Sequence, residues 1–147
     1  MDDSLLVFIR RAIRALLILI VLGVVLNDAI RTAGAVSLAS DGMNAASGAA
    51  IDSASAAPDD VAAGNAAAAD AAEVLGTRLE AYEQVVVETA GARQARVAVT
   101  VSAPLDRTLI AAPIVGLING TPSSGWYTDP RIVLSRATQV SVLGTSN

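Results

Sequence analysis

Ala15-Leu16-Leu17-Ile18-Leu19-Ile20-Val21-Leu22-Gly23-Val24-Val25-Leu26 is a run of 12 residues without one polar side chain. A helix of that length measures about 18 Å, short of the roughly 30 Å of a hydrocarbon core. The flanks extend it. Leu5 to Ile9 is apolar, and Ala12 and Ile13 continue the run between arginines. Arg10, Arg11 and Arg14 have long stems that lie along apolar surface while the charged head stays in water. Asn27, Asp28 and Arg31 mark the other boundary. Over residues 5–30 such a helix is about 39 Å long and crosses with both ends in the interface. Three arginines precede the run and one follows it closely. The cytoplasmic bias of basic residues therefore puts the N-terminus inside and the remainder outside the cell membrane. The expectation is a single-pass anchor with an extracytoplasmic C-terminal domain.

A cleaved secretory signal also has a basic start and a short apolar core. Ala33-Gly34-Ala35 offers small residues at a cleavage spacing. Release near Ala35 would yield a secreted, non-catalytic binding protein starting at Val36. Helical character continues past Ala35, which favours the retained anchor. A buried core helix is the third possibility.

Outward from the anchor the side chains shrink. From Ala29 to Ala72, 19 of 44 residues are Ala, and no proline precedes Pro58. One helix can thus run from about Ser4 to Ala56, near 80 Å. Gly42, Ala45, Ala46, Ala49, Ala50, Ser53 and Ala56 recur at three-to-four spacing. Such a stripe lets another helix approach closely, with Gly42, Ala46, Ala49 and Ala50 as packing positions. The alternative is a flexible Ala/Ser/Gly linker. Pro58-Asp59-Asp60 reads as a turn and an acidic helix start. Val61, Ala68, Ala72, Leu75, Leu79 and Tyr82 then form a heptad-like seam, so a second helix is expected over 59–82, antiparallel to the first.

The C-terminal half changes period. Residues 84–89 are rich in β-branched side chains, although Val85–Val87 can also extend the second helix. Val97, Val99 and Val101 alternate with Ala98, Thr100 and Ser102, as in a strand buried on one side. Gly91 supplies a turn between the two, giving a hairpin. Residues 132–142 form a third strand, its apolar face interrupted by Arg136 and Thr138. The segment 103–131, with four prolines, is expected to be a loop-rich crossing carrying one apolar patch, Leu109 to Ile118. Trp126 and Tyr127 either close the small core or contact a partner. The fold class is α+β: a long transmembrane helix continuing outward, a second Ala-rich helix and about three antiparallel strands. Residues 1–57 are anchor and helical stalk, and 58–147 the extracytoplasmic head.

Composition removes most chemistry. Of 147 residues none is Cys, His or Lys, and all ten basic residues are Arg. That excludes thiolate zinc sites, a Cys nucleophile, a His base, a Schiff base and a P-loop. A net charge of −4 without a basic tract disfavours nucleic acid. Residues 1–14 carry +1 (three Arg, two Asp) and residues 15–147 carry −5 (seven Arg, twelve acids). Glu80 and Glu83, three apart on the expected second helix, and Asp59-Asp60 read as solvated carboxylates, not a metal site. Ser124 and Asp129 have no base, and Asn119-Gly120-Thr121 reads as a turn. No enzyme activity, cofactor, metal or small-molecule substrate is expected.

The order of elements resembles the TadE/TadG-like proteins, pseudopilin-like minor components of tight-adherence (Flp-type) pilus machinery. The resemblance rests on Leu-Gly-Val-Val-Leu-Asn-Asp-Ala-Ile-Arg at 22–31, Arg-Val-Ala-Val-Thr-Val at 96–101 and Ile-Val-Leu-Ser-Arg-Ala-Thr-Gln-Val at 132–140. It implies a bacterial structural subunit that assembles with other pilin-like or pilus-assembly subunits, or within a related secretion system. The family has a Gly or Ala followed shortly by Glu at the entrance to the apolar run; here the entrance is Ile9-Arg10-Arg11-Ala12-Ile13-Arg14-Ala15. The departure implies an uncleaved, membrane-resident subunit.

Overall fold

The computed structural model describes residues 3–89, 92–105, 108–118 and 130–142. In chain order it holds α1 (Asp3–Ala56), α2 (Val61–Val74), β1 (Arg78–Thr89), β2 (Ala92–Pro104), α3 (Ala111–Ile118) and β3 (Arg131–Val142). The fold is α+β, with one long helix, a second helix and a three-stranded antiparallel sheet in the order β1-β2-β3.

Helix α1 is unbroken for 54 residues. Its alanines favour the helix, and it stops two residues before Pro58, whose ring disfavours helical backbone at the preceding position. Among the described residues no helix is long and apolar enough to cross a membrane. The fold therefore establishes one long helix and does not establish a membrane passage.

A turn at 57–60 reverses the chain onto α2. The Asp60 side chain caps α2 by accepting from the Ala63 N–H at 2.9 Å. The expected second helix over 59–82 is too long, since α2 has 14 residues. It ends at Val74, and residues 78–82 belong to β1. The cause is local: Gly76 sits at φ 71°, Gly76 N–H donates to Glu73 O at 2.8 Å, and Thr77 N–H reaches back to Ala72 O at 3.1 Å. These two bonds close the helix end in the glycine-dependent way that a Cβ at the turn would strain. Leu79 and Tyr82, assigned to a helical seam, pack on the same core from a strand instead. The alternative of Val85–Val87 extending the helix falls with it. Residues 84–89 are strand, within β1.

Strand β1 pairs with β2 from Arg78↔Ser102 to Thr89↔Ala92, with a bulge between Leu79 and Ala81. Strand β2 pairs with β3 from Arg93↔Val142 to Pro104↔Arg131. Both antiparallel pairings match the expected sheet, and β2 is longer than its alternating centre at 96–102. The expected crossing is not all loop, for its apolar patch forms α3. The turn at Ala90–Gly91 lies outside the described residues.

Helices α1 and α2 cover one face of the sheet. Ala95, Val97, Val99 and Val101 of β2 lie under Met43, Ala46, Ala50 and Ala54 of α1 and Ala68 and Ala72 of α2. An Ala methyl contributes only about 0.8 kcal/mol on burial, against roughly 1.5–3 for a Val side chain. The strand valines thus supply most of the hydrophobic stabilisation, while the alanines let the helix backbones come close enough to cover them.

Candidate functional site

The N-terminal half of α1 has no cover among the described residues. Sixteen large apolar side chains between Leu5 and Ile30 are exposed. Leu16 through Leu22 are seven consecutive positions, each 54–66% exposed. At about 100° per residue, seven in succession point in every direction around the axis. The run is therefore apolar all round, unlike the one-sided stripe of a helix packed on a domain surface. In water each such side chain forgoes roughly 1.5–3 kcal/mol of burial.

The change from uncovered to covered helix falls at Asp28, which is only 5% exposed. Its carboxylate accepts from the backbone N–H groups of Leu109 at 3.0 Å, Ile110 at 2.5 Å and Ala111 at 3.0 Å. Thr108 Oγ1 accepts from the Ala112 N–H at 2.9 Å. Four backbone donors at the start of α3 are thus met by side chains, three of them from a residue more than 80 positions earlier. A charged oxygen is favoured at this end of a helix, where the peptide dipoles leave positive charge. Behind this clasp Ala35 of α1 packs with Leu105 and Ala112, and Val115 and Ile132 border them. Beside it an open groove of about 900 Å³ runs between α1 and α3, lined by Val25, Ala29, Thr32, Val36, Ile110 and Ile114 among others. The Thr32 hydroxyl is buried there with no partner among the described residues.

The expected packing positions on α1 serve the interior of this chain. Gly42, Ala46 and Ala50 are buried, and Ala49 is half-buried. A Cβ at Gly42 would overlap the Thr77 side chain, whose hydroxyl donates to Ala72 O at 2.7 Å. On α2, a Cβ at Gly64 would overlap Tyr82 and Gln84. Tyr82 donates its hydroxyl to Gln84, and Gln84 Nε2 donates to Pro58 O at 2.6 Å. Burial pushes the Tyr82 phenol above its ordinary pKa. Arg136, which interrupts the apolar face of β3, reaches Asn44 of α1 at 2.6 Å.

The carboxylates do not assemble into a catalytic pair. Glu80 and Glu83 stand on β1, not on a helix as expected, and Glu80 occupies the bulge. Glu80 accepts from Ser102 Oγ at 2.5 Å and from Arg78 Nε at 2.9 Å. Arg131 Nε donates to the same Ser102 oxygen at 2.7 Å. The Ser102 hydroxyl, then the arginines, hold the Glu80 carboxyl below its ordinary pKa despite partial desolvation. This cluster pins the bulge to the neighbouring strand. Asp59 pairs with Arg93 of β2 at 3.3 Å. Among the described residues no three acidic side chains converge to hold a metal ion. Trp126, Tyr127, Asn119–Thr121, Ser124 and Asp129 lie outside the described residues.

Sequence reading missed the Asp28 clasp. Thr108 followed by Pro113 was a usable sign of a helix start, but nothing local links it to Asp28. No family model, no curated protein and no solved structure matches this chain.

Proposed function

We propose that this chain is a membrane-held structural subunit, minor-pilin-like, of a pilus or related secretion assembly in bacteria. One observation carries the reading: the all-round apolar surface from Leu16 to Leu22, seven consecutive large side chains left bare on one helix. Lipid is the medium in which such a surface is stable without a partner. The apolar run alone is too short, and the arginine stems at 10, 11 and 14 extend it to the interface. The N-terminus is cytoplasmic and the head extracytoplasmic, by the arginine bias. The same helix that anchors also builds the core of the head, so the head is carried rigidly on its stem for contact with other pilin-like or pilus-assembly subunits. Its action is helix packing and protein contact, with no reaction, cofactor, nucleic acid or small-molecule substrate.

Release after Ala35 is the less favoured reading. Cleavage there would remove Asp28 and leave the α3 donors without their acceptor. Ala35 is itself only 6% exposed. Alkaline extraction of native membranes, with N-terminal sequencing of the retained chain, tests the choice. Retention with the apolar run intact is the expected result; a freely soluble chain beginning at Val36 would overturn it. Crosslinking in those membranes should capture other pilus-assembly subunits, and a chain without protein neighbours there refutes the assembly role.

A further inference from the structure

We infer that α3 is a second membrane contact, a short foot that lies in the lipid interface beside the anchor and fixes how deep the head sits. The inference rests on the anchor reading and adds an element to it. Thr108 to Ile118 contains no charged residue. Leu109, Ile110 and Ile114 are 63%, 45% and 51% exposed. Ile110 and Ile114 meet the bare apolar surface of α1 at Val25, which lines the same groove.

An apolar patch alone would leave the occupant open. The backbone meets the first requirement of a lipid contact. A helix start normally leaves N–H groups that need water, and in a lipid interface each unmet donor is costly. Here the N–H groups of Leu109, Ile110, Ala111 and Ala112 are all bonded to Asp28 or Thr108. The exposed tip of α3 therefore presents hydrocarbon with its backbone already satisfied. Polarity along the groove is also graded. Val25, Asp28 and Ala29 line its lower end, where the Asp28 carboxylate is buried on the α3 backbone and only apolar groups stay accessible, and Ser37, Ser40 and Asp41 line its upper end. Those ends are about 24 Å apart along α1 at 1.5 Å per residue. A gradient from apolar to charged along the anchor axis matches acyl chains, then headgroups, then water. A docked helix from a second copy would instead favour an evenly small or apolar groove.

The chain has no cysteine, so single-cysteine variants carry an environment-sensitive fluorophore without background. The full chain is reconstituted into phosphatidylcholine/phosphatidylglycerol vesicles as Leu19→Cys, Ile114→Cys or Val85→Cys. Quenchers attached to lipid acyl chains are compared with aqueous iodide. The expected result is lipid quenching at positions 19 and 114 and iodide quenching at position 85, on the open face of the sheet. Lipid quenching at 19 with iodide quenching at 114 overturns the foot and spares the anchor. Iodide quenching at 19 overturns both. Protection at 114 from both quenchers means protein covers it, and overturns the lipid assignment. Adding Asp28→Ala should move position 114 to iodide quenching while 85 and the circular dichroism stay unchanged. A lipid response at 114 that survives this change refutes the clasp.

Discussion

Two halves of one helix carry opposite chemistry. Between Leu5 and Ile30, α1 bears large apolar side chains and buries almost none of them. Between Ala35 and Ala54 it bears small ones and buries a full stripe: Ala35, Ala39, Met43, Ala46, Ala50 and Ala54. The buried half is the less hydrophobic of the two. Size, not apolarity, decides which half the head takes up. The sheet face admits a helix backbone closely only where side chains are short, and Thr77 fills the notch that Gly42 leaves. Large side chains on the other half find no such fit and stay exposed among the described residues.

The strongest way to break this contrast is to put a charge in the bare half. Leu19→Arg should cost about 2.5–3.5 kcal/mol of insertion, shifting membrane partition of the chain by two orders of magnitude while the head still folds. Sedimentation with membranes and circular dichroism read the two effects separately. In the buried half the order reverses. Ala46→Leu should destabilise the head by roughly 1–3 kcal/mol through overpacking and leave membrane partition unchanged, as denaturant midpoints would reveal.

Glycine sharpens the comparison within the buried half. Gly42→Ala drives a methyl into Thr77 and should cost about 1–3 kcal/mol. Gly48→Ala meets nothing within 4 Å and should stabilise by roughly 0.5–1 kcal/mol through lost chain entropy. Opposite signs for one substitution six residues apart are the expected thermal-melt result. Equal signs would mean that close packing at Gly42 does not hold in solution.

The smallest effect comes from the bulge. Glu80 is held below its ordinary value of 4.5. Its contribution is therefore complete above the unfolded value and lost as pH falls through the lower folded one. Urea midpoints of the head should drop between pH 6 and pH 3, and Glu80→Gln should make that drop shallower. An unchanged slope in the Gln variant would show that other carboxylates account for it.

Legibility followed the range of the interaction. The alternation Val97-Val99-Val101 survives intact because a one-sided sheet imposes period two at once. The α1 limit was legible from Pro58. Leu79 and Tyr82 were assigned the wrong period, because their three-residue spacing suits a helix as well as a bulged strand; Gly76, three residues ahead of Leu79, was the sign that separates the two. Asp28 looked like a boundary marker, and its actual partners are backbone groups, which no residue type announces.

Composition and local pattern by themselves determined the long helix, the antiparallel sheet and the absence of Cys, His and Lys chemistry. Only the tertiary structure decided that the small-residue stripe is spent inside the chain and that Asp28 clasps α3. Backbone propensity and periodicity act over a few neighbouring residues and are written in order along the chain. A contact across 80 residues depends on which surfaces meet after folding, and that is set by shape.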